Sequence, residues 1–185
     1  MAKSALLLTS ALFSLVAASS SQAAVTVIGG GMAQACSQAA LGGENDPKFV
    51  KLCSDALETE FLNATDRAGT FVNRGVMRLR QASYPEATRD FNAALKIKPE
   101  LGEAYVNRGA ASIGRKDYEA SLPDINRGLE LGVDEPAKAY YNRGLAHEGM
   151  EDTRAAYFDY KKAQELAPEW EAPTKELSRF KVDRR

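Results

Sequence analysis

Three Asn-Arg-Gly triplets are the first feature of the chain with chemical content: Asn73-Arg74-Gly75, Asn107-Arg108-Gly109 and Asn142-Arg143-Gly144. Sixteen residues after each arginine stands an aspartate, Asp90, Asp124 and Asp159. A guanidinium and a carboxylate make strong, often two-point, hydrogen bonds. An asparagine amide carries donors and an acceptor side by side, so it can hold a peptide backbone without reading side chains. Other chemistry is scarce. His147 is the single histidine, and Cys36 and Cys53 are the two cysteines. That count excludes a four-ligand His/Cys zinc site. His147 falls on the packing side of a helix and reads as a packing residue rather than a general base. Gly29-Gly30-Gly31 lacks the following Lys-Ser/Thr of a phosphate loop. The carboxylates are spread over helix faces, as on a solvated surface. The expectation is no catalytic residue, no metal and no cofactor.

The chain of 185 residues has a formal net charge of −1, with 44% hydrophobic and 26% charged residues. That balance is ordinary for a globular domain. It argues against non-specific nucleic-acid binding, which needs excess positive charge. Residues 1–23 pair Lys3 with an apolar run from Ala5 to Ala17 and the small-residue stretch Ser21-Gln22-Ala23. This is the pattern of a secretory leader cut after Ala23. The apolar run is shorter than the ~20 residues that a membrane span needs. The expectation is a periplasmic or secreted protein with no stable membrane insertion once the leader is removed; the alternative is a short uncleaved anchor. In an oxidising compartment Cys36 and Cys53 can pair. A disulfide closing that loop would stabilise by about 3 kcal/mol; the alternative is two buried free thiols. Asn63-Ala64-Thr65 matches a glycosylation triplet, a pattern too short to carry weight.

The elements that position the triplets follow from periodicity. The triplet glycines are spaced by 34 and 35 residues, a spacing that marks stacked repeats. Phe71, Tyr105 and Tyr140 precede the arginines by three; Phe91, Ile125 and Tyr160 follow the aspartates; Ala94, Gly128 and Ala163 come three later. Within the first unit, Phe71, Arg74, Gly75 and Arg78 fall at helical spacing. A break at Gln81-Ala82-Ser83-Tyr84 precedes Pro85, well placed at the start of a helix. Ala87, Phe91, Ala94 and Leu95 form the second stripe, which Pro99 ends. The next units break at Gly114-Arg115-Lys116-Asp117 and Gly149-Met150-Glu151-Asp152. The fold class is therefore all-α, built of antiparallel helix pairs.

These residues resemble the tetratricopeptide repeat (TPR) family. The first unit carries Phe71, Gly75, Ala87, Phe91 and Pro99, and the third Tyr140, Gly144, Ala156, Tyr160 and Pro168. The second is weaker, with Ser121 for alanine and Val133 where proline is expected. All three carry arginine where the family has leucine. The resemblance implies a right-handed solenoid whose concave face holds a peptide or partner helix. Units are expected at 67–100, 101–135 and 136–168, within a repeat region of 67–168. An N-terminal helical hairpin is expected in 24–66, stapled by Cys36–Cys53, and a capping helix and tail in 169–185. The cap is drawn from Trp170 to Lys181 with Leu177 and Phe180 inward, and with Lys181, Asp183, Arg184 and Arg185 facing water.

The midpoints of the Arg–Asp pairs fall at residues 82, 116 and 151, inside the three breaks. Residues equidistant from a hairpin turn are neighbours on antiparallel helices, so Arg74–Asp90, Arg108–Asp124 and Arg143–Asp159 are expected as structural ion pairs. The alternative presents the arginines to an acidic ligand. In the resembling family the first helix of each unit lines the concave face, which implies that Val72, Asn73 and Val76, Val106, Asn107 and Ala110, and Tyr141, Asn142 and Leu145, off the packing side of those helices, form the partner-binding face. The asparagines would hold a peptide backbone; their other use is to bond neighbouring helices only. The family's clamp for a terminal carboxylate also uses lysines, and Val72 and Val106 stand where one would look, which argues against a chaperone-tail ligand. A groove of this kind binds at micromolar strength, about −8 kcal/mol. The function expected is a non-enzymatic scaffold that binds a protein or peptide in the groove. The alternatives are an enzyme or small-ligand binder using the same groove, and a self-associating repeat.

Overall fold

The computed structural model describes residues 6–7, 22–27 and 31–182. Its elements are β1 (Leu6–Leu7), α1 (Met32–Leu41), α2 (Pro47–Thr59), α3 (Ala64–Arg80), α4 (Tyr84–Ile97), α5 (Gly102–Gly114), α6 (Tyr118–Leu131), α7 (Pro136–Gly149), α8 (Thr153–Leu166), α9 (Glu171–Leu177) and β2 (Lys181–Val182). β1 and β2 form a two-residue antiparallel pair. Everything else regular among the described residues is helical. Each helix packs on the next, and α1, α3, α5 and α7 also contact one another in succession. The fold is an all-α solenoid of helix pairs, with the first helix of each pair on a shared face.

Local chemistry sets the helix ends. Asp46 accepts from the Lys48 N–H at 2.8 Å with Pro47 in the first turn of α2. Asn63 caps α3, accepting from the Asp66 N–H at 2.9 Å, so the residue of the glycosylation triplet has a structural use. Glu60 reaches back to the start of α1, its two carboxylate oxygens accepting from the Met32 and Ala33 N–H groups. Each of the pairs α3–α4, α5–α6 and α7–α8 turns on one residue in the left-handed region: Ala82 at φ 56, Lys116 at φ 64 and Glu151 at φ 63. Pro123 lies inside α6 rather than at its end, where the packed repeat overrides a helix-breaking residue.

The core is repeated unit by unit. Phe91, Ile125 and Tyr160 are fully buried and each presses on the triplet glycine of the preceding helix. A Cβ at Gly75 would lie 2.5 Å from Phe91 Cε1, and one at Gly144 would lie 2.7 Å from Tyr160 Cε1. The glycines are thus what lets the paired helices approach. Cys36 and Cys53 are bonded, joining α1 to α2 with Cα atoms 5.1 Å apart, and both are fully buried; the free-thiol alternative does not hold.

At the far end, the helix expected from Trp170 to Lys181 is shorter. α9 stops at Leu177 because the chain turns there, with the Phe180 N–H donating to the Leu177 carbonyl at 3.1 Å. The turn still carries Phe180 onto Tyr157 and Tyr160, with ring centroids 5.7 and 6.0 Å apart. Most of the expected leader, residues 1–5 and 8–21, and Asp183, Arg184 and Arg185 lie outside the described residues. Among the described residues, no helix is long and apolar enough to cross a membrane.

Candidate functional site

Each triplet arginine sits at a junction of three groups. Arg108 donates to Asp124 through Nε and Nη2 at 2.7 and 2.6 Å. Arg143 donates to Asp159 in the same way at 2.9 and 2.7 Å. Arg74 reaches both oxygens of Asp90, with its shortest contact at 2.7 Å, and Arg78 adds a further contact at 2.7 Å. The aromatic three residues earlier lies under each guanidinium, at 5.5 Å for Phe71, 5.3 Å for Tyr105 and 5.1 Å for Tyr140. The remaining nitrogen reaches the preceding helix pair: Arg74 donates to Ser54 Oγ at 2.9 Å, Arg108 to Asn92 Oδ1 at 2.7 Å and Arg143 to Asn126 Oδ1 at 2.8 Å. Every arginine therefore ties its own hairpin to the one before.

Hydrogen bonding to Asp124 and Asp159 raises the pKa of Arg108 and Arg143, against burial. Burial lowers that of Arg78, against Asp90. With their donors engaged inside the repeat, these arginines are joints rather than ligand groups. The inter-unit acceptors were missed by sequence reasoning, although Asn92 and Asn126 repeat at 34 residues, each two past its aspartate.

The asparagines meet something else. Residues 22–27 run in extended form across the first helices, in reverse order of the chain. Val25 donates its N–H to Asn73 Oδ1 at 2.8 Å, and its carbonyl accepts from Asn73 Nδ2 at 2.7 Å. Two residues earlier the pattern repeats: the Ala23 N–H donates to Asn107 Oδ1 at 3.2 Å, and Asn107 Nδ2 donates to the Ala23 carbonyl at 2.7 Å. Alternate residues of an extended chain present N–H and C=O to one edge, and each carboxamide takes the place of a neighbouring strand.

Ser37 of α1 continues the row, accepting from the Val27 N–H at 3.1 Å and donating to the Val25 carbonyl at 3.0 Å. Lys138 of α7 donates to the Gln22 carbonyl at 3.2 Å. Asn73, Asn107 and Asn142 are all fully buried. Buried amides of this kind are costly unless bonded, so the row needs a polar occupant.

Side chains complete the fit. Ala23 and Val27 are buried, and Val25 packs on the cluster containing Val72, Val76 and Ala110. Gly69 of α3 leaves the space they use: a Cβ there would lie 3.1 Å from Val27 Cγ2 and 3.3 Å from Val25 Cγ1. Val106, Tyr141 and Leu145 are buried in the next cluster, against Trp170 and Leu177 of the cap. Tyr141 packs tilted against Trp170, ring centroids 4.9 Å apart, so its side chain is spent on the C-terminal end. The apolar flanks of the asparagines are thus core positions beneath the groove rather than open pockets. His147 lies beside Asp159, Nε2 to Oδ2 3.8 Å, with its Nδ1 buried and unbonded, packed into the third hairpin.

The solenoid of helix pairs is similar in fold to solved TPR domains, and its shared face bears a row of buried amides. Residues 137–169 match the tetratricopeptide repeat family. Among solved structures, the first TPR domain of the human RPAP3 protein is similar at 26% identity and a TM-score of 0.56, covering 60% of this chain and 87% of that one. The first TPR of Spaghetti (RPAP3) bound to HSP90 peptide SRMEEVD is similar at 25% identity and a TM-score of 0.57, over 63% and 91%. MamA from Desulfovibrio magneticus RS-1 is similar at 22% identity and a TM-score of 0.61, over 80% and 82%; at that identity the likeness is one of fold. No curated protein sequence matches the chain.

Proposed function

We propose that the protein is a non-enzymatic interaction scaffold that holds an extended segment of a partner protein on the face built by α3, α5 and α7. One observation carries this reading: Asn73 and Asn107 each offer a donor–acceptor pair to the backbone of an extended chain, at alternate residues. Recognition through the backbone supplies affinity, and the shallow apolar floor selects small or β-branched side chains. The Spaghetti TPR domain, seen with a bound peptide, supports peptide capture as a use of this architecture. The contacts built into the triplets are structural, and the one histidine is packed, which favours binding over turnover. The leader-like residues 1–23 and the disulfide suit an exported protein, periplasmic or secreted, with its mature chain starting at Ala24.

The test is photo-crosslinking in the native cell from a residue placed at Lys138, beside the groove, with Lys162 on α8 as the outer control. A partner captured from position 138, absent from position 162 and lost with Asn107→Ala, is the expected result. Equal capture from both positions would sink the groove reading. N-terminal sequencing of the recovered protein reads the processing directly, with Ala24 expected as the first residue.

A further inference from the structure

We infer that residues 22–27 are an intramolecular pseudo-ligand that keeps the asparagine groove closed, and that cleavage between Ala23 and Ala24 opens its α5–α7 half. The inference rests on the reading of this face as a peptide site. Its ground is that the segment does what a partner would have to do. It satisfies both atoms of Asn73 and of Asn107 with backbone alone, at a two-residue register. It also seats Val25 and Val27 over Gly69. A competing strand cannot use those amides while the segment is there.

The leader cut falls inside this contact. Ala23 is buried while the segment lies in the groove, so a processing endopeptidase hydrolyses the Ala23–Ala24 amide while the segment is lifted off, breaking the C–N bond. Water supplies OH to the Ala23 carbonyl carbon and a proton to the Ala24 nitrogen. Gln22 and Ala23 then leave with the leader, taking the bonds to Lys138 and Asn107. Val25 and Val27 stay, tethered to α1 and held by Asn73 and Ser37. The processed groove is therefore divided. The α1–α3 end remains filled by the chain's own residues, and the α5–α7 end accepts a partner strand running in the direction that Gln22 and Ala23 vacate.

The experiment compares the full chain with the processed chain that begins at Ala24: the processed chain is expected to bind a Gln22–Val27 peptide at least tenfold more tightly, and equal binding by the two would overturn opening by cleavage. Hydrogen exchange of the Ala23 and Val25 amides reads occupancy in cis. Anisotropy of a fluorescein-labelled peptide of sequence Gln22 to Val27 reads binding in trans. The variant Ala23→Pro/Val25→Pro deletes the two N–H groups that Asn107 and Asn73 accept and leaves every helix unaltered. Both amides are expected to be at least 100-fold protected in the unaltered chain. The peptide is expected to bind the double variant at least tenfold more tightly than the unaltered chain, and the gain should disappear when Asn107→Ala is added. Unprotected amides with equal peptide binding by both proteins would overturn the pseudo-ligand and leave the peptide groove standing. Protected amides with no peptide binding by either protein would overturn both, making the segment a fixed part of the fold.

Discussion

At the scale of single residues, the three arginine–aspartate pairs look alike in sequence but differ in what they bury. The Asp90 side chain is 3% exposed and serves Arg74 and Arg78 together; that of Asp124 is 18% exposed and serves Arg108 alone. Removing one partner of a buried pair strands the other charge, which costs about 3–5 kcal/mol. Where water can replace the lost carboxylate, the loss is that of a charged hydrogen bond, about 1.5–3 kcal/mol. Asp90→Ala is therefore expected to lower the unfolding free energy in urea by more than Asp124→Ala. Equal losses would show that burial does not set the difference, and no loss for Asp90→Ala would show that its ion pairs do not hold the hairpin together. The second arm of each arginine, to Ser54, Asn92 or Asn126, was not legible, although Asn92 and Asn126 recur at 34 residues. An inter-unit contact has no signature in the spacing within a unit.

Helices and their ends respond separately, because each unit of a solenoid touches only its neighbours. The Cys36–Cys53 bond closes a 17-residue separation between α1 and α2, and a bridge of that span contributes about 3 kcal/mol. Reduction, or Cys36→Ser with Cys53→Ser, is expected to speed amide exchange in α1 and α2 while α7 and α8 keep their protection. Loss of protection throughout would mean that the hairpin nucleates the whole array.

The opposite end rests on Tyr160. It is fully buried and donates its hydroxyl to Glu148 at 2.7 Å. Burial first, and then the Glu148 carboxylate, raise its pKa far above the ordinary 10.0. The unfolded chain loses this proton near pH 10 while the folded chain keeps it. The stabilisation is fully present below pH 10 and declines as pH rises beyond it. Tyr160→Phe should flatten the fall of melting temperature between pH 10 and 11, at a cost of about 1 kcal/mol at neutral pH for the lost hydrogen bond. An unchanged alkaline slope would count against Tyr160 as its source.

On the whole molecule, the helix pairs were legible because their rhythm is local: a glycine, an aspartate and an aromatic recurring near 34 residues leave one way to stack. The asparagines stood out by the same rhythm. What meets them did not, because the Val25–Asn73 and Ala23–Asn107 bonds span 48 and 84 residues, and the expected boundary between leader and hairpin falls between Ala23 and Ala24. The length of the final helix escaped for a related reason, since the turn after Leu177 is set by Phe180 packing on Tyr157 and Tyr160.

That long-range strap has a consequence for cooperativity. Solenoids couple nearest neighbours, yet residues 22–27 bond α1, α3, α5 and α7 at once. Two backbone N–H bonds lost in Ala23→Pro/Val25→Pro, each leaving a buried amide oxygen short of a donor, cost together about 2–4 kcal/mol. For a chain of this size that is a fall in melting temperature of about 5–10 °C. Trp170, the only tryptophan, reports on the C-terminal cap, where its ring packs against Tyr141; far-ultraviolet circular dichroism reports on all helices. The two signals should melt together in the unaltered chain and separate in the double variant, the cap outlasting the N-terminal hairpins. Coincident curves in both proteins, with an unchanged midpoint, would show that the segment lies on the array without binding its units into one.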